Sequence, residues 1–346
     1  MFLFSVVWLP ALALAQELTV PCRVRQMALA GDGSGIWFVC LPSSAAPEKH
    51  SDTAGQPTPQ YARANTAQTE AYWLPTATHV PVKVANATAS IYILAAPLGS
   101  QALVVTLPGS GRWRIALYDK QVRVKELPLD ASFLLWSSDS RRIYFYGGST
   151  IQADVWDILG TCDPSTGTII RTQLHEPTEI LRVCPANGEV YSVTPQYPNF
   201  AGSTVEYTST IQFVRQIHGW IGALFSAHCT YVASEYSYHG PLPWNIYEVS
   251  TGKRMYHFSA LDEEGKDDVY SPVQWNPKQD SILLREYLPA HNGPRILQVF
   301  DVRSGSVLQT LSHANVVSWS ADGASIIAAE GNKLIWHSAK LPPYVC

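Results

Sequence analysis

The chain has 346 residues, of which 46% are hydrophobic and 15% are charged, against about 25% charged residues in an average soluble domain. This hydrophobic content excludes a chain that is disordered throughout. The formal net charge of -4 argues against a nucleic-acid partner, which would require a basic surface. The 24 prolines and 22 glycines supply the turns that an all-β protein needs.

Residues 1–15 form an apolar run that ends in Ala13-Leu14-Ala15, the small-x-small pattern of a signal-peptidase site. The sequence therefore predicts a signal peptide over 1–15, with Gln16 as the new N-terminus and export to the periplasm or the medium. No Lys or Arg precedes the run, so a misassigned start codon or a buried strand is the alternative. No later stretch is long and apolar enough to span a membrane, so we predict no membrane span.

Six cysteines follow the predicted cleavage site, and this even number permits disulfides in an exported protein. No Cys-x-x-Cys pair occurs, so neither a zinc site nor a thioredoxin-like site is predicted. Spacing alone cannot determine the connectivity. The favoured pairs are Cys162 with Cys184 and Cys22 with Cys346, and a buried free thiol is the alternative, for Cys229 in particular.

A repeated unit runs through the chain, and its clearest copy spans 316–336. This copy reads as short apolar strands joined by turns at Asp322-Gly323 and Gly331-Asn332. The position of Trp319, just before the first turn, recurs at intervals of roughly 40 to 55 residues, close to the length of a propeller blade. The seven positions are Leu29, Val84, Trp136, Cys184, Phe225, Trp275 and Trp319.

A second pattern alternates with the first: an aromatic residue followed by an acid marks the predicted end of a strand, and a Gly turn follows three of these pairs. The pairs are Tyr118-Asp119, Trp156-Asp157, Tyr247-Glu248 and Phe300-Asp301, and the turns are Ser165-Thr166-Gly167, Ser250-Thr251-Gly252 and Arg303-Ser304-Gly305. Each unit then has four antiparallel strands, which is the blade of a β-propeller. The sequence predicts an all-β, seven-bladed propeller over 16–346.

The two patterns resemble those of WD-repeat proteins and of the TolB-like propeller family. Trp319-Ser320-Ala321-Asp322-Gly323 resembles the Trp-Ser-Pro-Asp-Gly signature of the TolB type, and Trp156-Asp157 resembles the dipeptide that names the WD repeat. The residues that carry this fold signature are Trp136, Trp156, Asp157, Trp275, Trp319, Asp322 and Gly323. The resemblance implies a propeller and says almost nothing about activity.

Two further segments complete the predicted architecture. The copy over 316–336 supplies only three strands, whereas 17–25 is a strand-like run that precedes the first repeat. Pairing this N-terminal strand with the last blade would close the ring and remove both exposed sheet edges. Residues 42–70 are rich in Pro, Ala, Ser, Thr and Gln, which predicts a disordered or mobile loop inserted in the first blade, with a functional lid as the alternative.

Signatures of chemistry are weak in this sequence. Gly109-Ser110-Gly111 lacks the spacing of a nucleophile elbow, and the ten histidines lack the spacing of a metal-binding pair. The acidic run over 262–268 fits no known calcium loop, and a solvated turn is the simpler interpretation. His313 precedes an inner strand, where a structural hydrogen bond is the simpler role. We therefore name no catalytic, cofactor-binding or metal-binding residue and expect no cofactor.

The segment over 231–244 is unusually aromatic and contains Gly240-Pro241, which indicates a loop. Exposed aromatic side chains on a propeller often anchor peptides or sugars, and packing between blades is the alternative. The candidate binding residues are Tyr236, Tyr238, His239 and Trp244.

The sequence thus predicts an exported, monomeric propeller that acts as a binding scaffold for a protein, a peptide or a glycan rather than as a catalyst. One alternative is a propeller hydrolase or lyase with an active site at the mouth of the channel. The other is an intracellular WD-repeat-like interaction protein, which applies if 1–15 is not a leader.

Overall fold

The structure is a computed structural model. It describes residues 16–41, 68–107, 113–131, 133–146, 156–178, 180–194, 203–218, 221–235, 244–258, 269–288, 296–312 and 316–342. Within these ranges the chain forms 28 β-strands and no helix. The predicted signal peptide over 1–15 lies outside the described residues.

The strands are short and follow one another through the whole described chain. They are β1 (Gln16–Thr19), β2 (Arg23–Leu29), β3 (Gly35–Leu41), β4 (Thr69–Pro75), β5 (Val82–Ala87), β6 (Ser90–Ala95), β7 (Gln101–Leu107), β8 (Arg114–Asp119), β9 (Val122–Leu127), β10 (Phe133–Trp136), β11 (Ile143–Tyr146), β12 (Trp156–Cys162), β13 (Ile169–Thr178), β14 (Ile180–Val183), β15 (Val190–Thr194), β16 (Ser203–Tyr207), β17 (Phe213–His218), β18 (Ile221–Phe225), β19 (Tyr231–Glu235), β20 (Trp244–Glu248), β21 (Arg254–His257), β22 (Val269–Trp275), β23 (Ile282–Leu288), β24 (Ile296–Asp301), β25 (Ser306–Ser312), β26 (Val316–Trp319), β27 (Ser325–Glu330) and β28 (Lys333–Ser338).

The strands form seven four-stranded antiparallel sheets, which confirms the predicted seven-bladed propeller. Blades 1 to 6 each use four consecutive strands, from β2–β5 in blade 1 to β22–β25 in blade 6. Blade 7 comprises β26, β27 and β28, with β1 as its outermost strand. First strands contact those of neighbouring blades, and β26 contacts β2. The ring is therefore closed, with the first strands innermost.

The N-terminal strand closes the ring as predicted. β1 is antiparallel to β28, and the register runs from Gln16 opposite Trp336 to Thr19 opposite Lys333. The pair is reinforced by an ion pair of 2.7 Å between Lys333 Nζ and Glu17 Oε1. The predicted strand over 17–25 is, however, two strands. A bend at 20–22 ends β1, and the chain then begins β2 in the next blade.

The first repeat pattern marks the ends of the first strands. Leu29, Trp136, Phe225, Trp275 and Trp319 end β2, β10, β18, β22 and β26, which confirms these positions. Cys184 is displaced by one residue, because β14 ends at Val183. Val84 was the wrong position: it lies in β5, the last strand of blade 1, and Ala95 ends the first strand of blade 2. The turn after Ala95 carries neither the Trp nor the Asp of the signature, so the sequence pattern missed it.

The second pattern holds in three blades and fails in one. Tyr118-Asp119, Tyr247-Glu248 and Phe300-Asp301 end the third strands β8, β20 and β24. Trp156 and Asp157 instead begin the third strand β12, which ends at Cys162. Trp156-Asp157 therefore matches the WD dipeptide in sequence but lies at the start of the third strand instead of at its end. The turn that follows β12 begins at Asp163, whose carboxylate accepts hydrogen bonds from the Ser165 and Thr166 amides.

Apolar contacts between neighbouring blades hold the ring together. Each of the seven seams contains one apolar cluster, and no cluster lies within a single blade. Because side chains alternate along a strand, Leu283 packs against blade 5 while Leu284 packs against blade 7. Both faces of each sheet are covered, which explains nearly continuous apolar strands such as β3.

The disulfides differ from the favoured pairs. Cys22 pairs with Cys40 inside blade 1 (Cα–Cα 5.6 Å), and Cys184 pairs with Cys229 across the seam between blades 4 and 5 (Cα–Cα 5.9 Å). Cys162 is a buried free thiol. The predictions failed because pairing depends on which turns the ring brings together, and spacing along the chain does not record this. Cys346 lies outside the described residues.

The predicted insertion interrupts blade 1 between its second and third strands. β3 ends at Leu41 and β4 begins at Thr69, so Thr69 and Glu70 belong to the sheet rather than to the insertion. Residues 42–67 lie outside the described residues.

Candidate binding face

The two ends of the ring differ in the length of their connections. At one end, here called the turn face, each first strand joins its second strand through five or six residues. These turns are 30–34, 96–100, 137–142, 184–189, 226–230, 276–281 and 320–324. At the other end, here called the connection face, second strands join third strands. These connections are 42–68, 108–113, 147–155, 195–202, 236–243, 289–295 and 331–332. All long connections therefore begin and end at the connection face.

Contacts join the turns of neighbouring blades on the turn face at six of the seven seams. Donor first and in ring order, the contacts are Asp32 N to Gly99 O (3.3 Å), Leu98 N to Ser140 Oγ (2.8 Å), Arg142 Nη1 to Ser209 O (2.8 Å), the Cys184–Cys229 disulfide, His228 N to Asp280 Oδ1 (2.9 Å) and Asn276 Nδ2 to Gly323 O (2.9 Å). Between blades 7 and 1, a Cβ placed on Gly33 would lie 3.5 Å from Ala321 Cβ. This face thus consists of short turns, most of which are bonded to the turn of a neighbouring blade.

The signature tryptophans join each blade to the preceding one. The indole Nε1 donates to a carbonyl of the preceding first strand, whose inner edge has no neighbouring strand. The bonds are Trp136 to Leu94 O (2.9 Å), Trp275 to Leu224 O (2.7 Å) and Trp319 to Gln274 O (3.3 Å). The signature therefore supplies backbone partners that an inner edge strand would otherwise lack.

The other signature residues shape the turn after β26. Ser320 Oγ accepts a hydrogen bond from Ser325 N (2.9 Å), and the Asp322 carboxylate accepts one from Ala324 N (2.9 Å). Hydrogen bonds from Ser320 and Ala324 lower the pKa of Asp322. Gly323 has a φ of 69°, and a Cβ there would lie 2.5 Å from Asn276 Oδ1. Only glycine fits this position, because both the backbone angle and the neighbouring blade exclude a side chain.

The outer rim is protected against pairing with another strand. The fourth strand carries a β-bulge in blades 1, 2, 4, 5 and 6. Basic side chains also lie on these outer strands, at Lys83, Arg123, Lys125, Arg171, Arg215 and Arg254. Bulges and basic residues are common protections of sheet edges. The rim is therefore a poor site for the addition of a partner strand.

The predicted aromatic segment begins and ends at the connection face. β19 ends at Glu235 and β20 begins at Trp244. Tyr236, Tyr238 and His239 lie outside the described residues. Trp244 is 5% exposed and belongs to the cluster between blades 5 and 6. This residue packs between blades rather than being displayed on the surface.

A buried cation lies in the same seam, and the sequence analysis missed it. Arg285 of β23 is 6% exposed. Its guanidinium carbon lies 4.2 Å from the ring centre of Phe300, 4.4 Å from that of Tyr270 and 5.0 Å from that of Phe258. Tyr256 contacts both phenylalanines, at 4.7 and 4.9 Å between ring centres. We call Tyr256, Phe258, Tyr270 and Phe300 the Arg285 cage.

The polar contacts of Arg285 are few. Its Nε donates to Gln298 Oε1 (2.9 Å). Burial lowers the pKa of Arg285, and the neighbouring Tyr270 and Tyr256 oppose this shift. In the part of the chain that the structure describes, no carboxylate forms an ion pair with Arg285. The only sequence signal for it is a charged residue within an apolar strand.

A cavity of about 570 Å³ opens at the turn-face end of the seam between blades 2 and 3. Its lining includes Leu117, Val124, Lys125, Arg141 and Asp163. Lys125 Nζ donates to Ser165 O (2.6 Å), and hydrogen bonds within its own turn lower the pKa of Asp163. Lys125 and Asp163 are thus engaged locally rather than converging on the cavity.

The described ranges contain neither a metal-binding cluster nor a membrane-spanning helix. There, no group of three or more His, Cys, Asp and Glu side chains is arranged to hold a metal ion. No helix long and apolar enough to cross a membrane occurs there either. His313 and the acidic run over 262–268 lie outside these ranges.

Comparison with known proteins identifies the fold. No family model and no curated protein sequence matches the chain. The structure is similar to the uncharacterised protein lmo1340 of Listeria monocytogenes EGD-e, with a TM-score of 0.53 and 10% identity over 94% of this chain and 97% of that chain. It is similar to the Dos1 propeller, with a TM-score of 0.53 and 10% identity over 93% and 94% of the two chains.

The tricorn protease is a third similar structure, with a TM-score of 0.52 and 10% identity. The match covers 91% of this chain but only 33% of the tricorn protease chain. At such low identity these likenesses concern architecture only. The chain is a seven-bladed β-propeller, and the comparisons assign it to no particular propeller family.

Proposed function

We propose that this propeller is a binding scaffold that engages a protein or peptide partner through its connection face. The observation that carries the proposal is the difference between the two ends of the ring. The turn face is tied from blade to blade by short turns, whereas all long connections meet the opposite face. Variable connections on a rigid ring are where binding residues usually lie.

Within this face, the segment over 236–243 is the proposed contact region. It carries Tyr236, Tyr238 and His239, and aromatic side chains provide large contact area at low entropic cost. The buried Trp244 anchors the end of this segment in the seam between blades 5 and 6. A glycan would use the same aromatic side chains. Capture of partners with and without prior removal of glycans distinguishes a glycan from a protein or peptide.

Export is part of the proposal. Gln16 is the first residue of β1, so cleavage after Ala15 would leave the closing strand whole. Two disulfides are also expected to persist only in an oxidising compartment. Sequencing the N-terminus of the protein from the envelope or the medium should find Gln16. An uncleaved protein in the cytoplasm with reduced cysteines would support the intracellular alternative.

The binding role is tested by altering one segment on each face of the ring. Residues 236–243 are replaced by a Gly-Ser segment of equal length. The control carries Ser250→Ala and Lys253→Ala in a turn-face turn of the same blade. Each protein is used to capture partners from the envelope and medium of the source organism, with and without prior removal of glycans.

We expect at least one protein partner that wild type and control capture equally and that the loop variant captures at least tenfold less. Capture that disappears with glycan removal would assign a glycan ligand instead. Equal capture by all three proteins would contradict the connection face as the binding surface. No described residue favours the hydrolase or lyase alternative, and we propose no catalytic residue.

A further inference from the structure

We propose that Arg285 is the anion-recognising group of a carboxylate site at the connection-face end of the seam between blades 5 and 6. The ligand would be a peptide that presents a carboxylate beside an aromatic or other planar group. This inference rests on the proposed function, because it names the chemistry that the binding face recognises. The site consists of Arg285, Gln298, Tyr256, Phe258, Tyr270 and Tyr287.

The first argument is the charge of Arg285. Other arginines in the described chain that are paired with acids lie near the surface: Arg215 Nε is 2.6 Å from Glu206 Oε2, and its side chain is 54% exposed. Arg285 is far more buried, and among the described residues its charge faces aromatic rings and the neutral Gln298 rather than an acid. Burying a cation without an anion is costly, and cation–π contacts recover only part of that cost. An incoming carboxylate would supply the missing charge.

The second argument is the donor pattern. A guanidinium has five N–H donors in a planar fork and can bind a carboxylate with two parallel hydrogen bonds. Gln298 accepts from Nε. This neutral partner helps to hold the plane of the guanidinium without neutralising it. A preoriented, uncompensated fork of this kind suits bidentate recognition.

The third argument is the position of two tyrosines between Arg285 and the connection-face end of β23. Tyr287 lies two residues after Arg285 on the same face of β23, nearer the connection-face end of that strand. It is opposite Tyr270 of β22 in the sheet register. Their rings stack at 5.0 Å with an interplanar angle of 27°, and Phe258 continues the stack at 5.9 Å from Tyr270. Both tyrosines are half-buried. Parallel rings above a cation are suited to a planar group that carries an anion.

The position agrees with the proposed contact region. Trp244, which follows 236–243, lies in the same cluster as Phe258, Tyr270 and Phe300. Phe258 N donates to Trp244 O (2.9 Å), so the two strand ends are joined directly beside the cage. Trp244, the described end of the predicted aromatic segment, therefore lies in the same seam as the buried cation.

The experiment titrates the full-length protein with benzoate and with benzamide, its neutral analogue of the same shape. Binding is followed by calorimetry and by tyrosine and tryptophan fluorescence. For the wild type we expect benzoate to bind at least tenfold more tightly than benzamide. Arg285→Met should abolish this preference, and Arg285→Lys should retain a preference for benzoate with at least threefold weaker binding. Arg215→Met, which removes an exposed paired arginine, is the control and should behave as the wild type.

Equal binding of benzoate and benzamide by the wild type would overturn the proposal, whether or not the Arg285 variants fold. So would an undiminished preference for benzoate in Arg285→Met. A wholly structural Arg285 predicts both results. A negative result with benzoate would not decide the outcome of replacing residues 236–243, because the replacement experiment does not measure carboxylate recognition. The two proposals can therefore fail separately.

Discussion

Tryptophan at the end of a first strand has two functions at once. Its ring fills the seam, and its indole N–H satisfies a carbonyl on the inner edge of the preceding blade, as Trp136, Trp275 and Trp319 show. Phenylalanine could serve only the first of these functions. The sequence pattern located these residues correctly because the turn that follows them carries its own signals, such as Asp322 and Gly323.

Trp319→Phe should therefore cost more stability than the lost ring volume explains. Trp37 is the matched control: it is fully buried, and its Nε1 has no hydrogen-bond partner among the described atoms. Both substitutions remove similar volume, but only Trp319→Phe removes a hydrogen bond, here to Gln274 O. We expect Trp319→Phe to lower the free energy of unfolding by about 1 kcal/mol more than Trp37→Phe. Urea unfolding measures both, and an equal or larger loss for Trp37→Phe would contradict this role.

The ionisation of Asp280 should make the stability of the contact between blades 5 and 6 depend on pH. Burial would raise its pKa, but hydrogen bonds from Thr230 and His228 outweigh burial and lower the pKa. A lowered pKa in the folded state stabilises the protein above the ordinary carboxyl pKa of about 3.9, and this stabilisation is lost as the pH falls through the folded value. Asp280→Asn should cost roughly 1 to 3 kcal/mol at pH 7 and progressively less toward pH 3.

Urea unfolding of wild type and Asp280→Asn at pH 7, 5 and 3 checks this prediction. Glu126→Gln on the exposed rim is the control and should show a small difference at every pH. A deficit in Asp280→Asn that stays constant from pH 7 to pH 3 would show that the carboxylate charge does not contribute.

At the scale of elements, one disulfide reinforces the apolar seam between blades 4 and 5. Cys184 and Cys229 join the turns at that seam covalently. The closed segment spans 45 residues, for which chain entropy predicts about 4 kcal/mol of stabilisation. The Cys22–Cys40 bridge closes 18 residues, for which the same relation gives about 3 kcal/mol.

Replacing Cys184 and Cys229 together by serine should therefore destabilise the protein more than replacing Cys22 and Cys40. Thermal unfolding of the two double variants, with and without a reductant, measures the difference. The reductant should lower the melting temperature of the wild type and leave less effect in each variant. A wild type whose melting temperature is unchanged by full reduction would contradict a stabilising role for either bridge.

Local sequence signals predicted elements well where a turn required particular residues. The turns containing Gly167, Gly252 and Gly305 were correctly placed, because each glycine has a positive φ that other residues adopt at a cost. Elements without such signals were misplaced. Val84 was taken for the end of a first strand, although the turn after Ala95 has that role. Disulfide pairs were wrong because they depend on which strands and turns the folded ring brings together, within one blade for Cys22–Cys40 and across a seam for Cys184–Cys229.

At the scale of the whole molecule, the sequence sufficed for the ring but not for the site. Closure by the N-terminal strand was predictable from the repeats: seven units of four strands were expected, and the last copy lacked one strand. The ring then determines which strand ends meet at each face. The Arg285 cage was beyond prediction, because its rings come from two blades and gather only when the seam forms.

Without β1, the ring would be open at blade 7 and the protein would be less stable. Without residues 16–19, β28 would present an open edge in place of its pairing with β1. Leu18 would also leave the cluster between blades 7 and 1. The sheet hydrogen bonds and this contact together should contribute on the order of 3 kcal/mol. The loss should begin in blade 7 and spread to blade 1, since the two blades share that cluster.

Hydrogen exchange of β28, compared between a chain that begins at Gln16 and the same chain lacking residues 16–19, tests closure of the ring most directly. We expect the amides of Lys333–Ser338 that face β1 to lose at least tenfold of their protection in the truncated protein, while β10 and β11 on the far side of the ring keep theirs. Unchanged protection across β28 would show that the N-terminal strand does not complete the seventh blade.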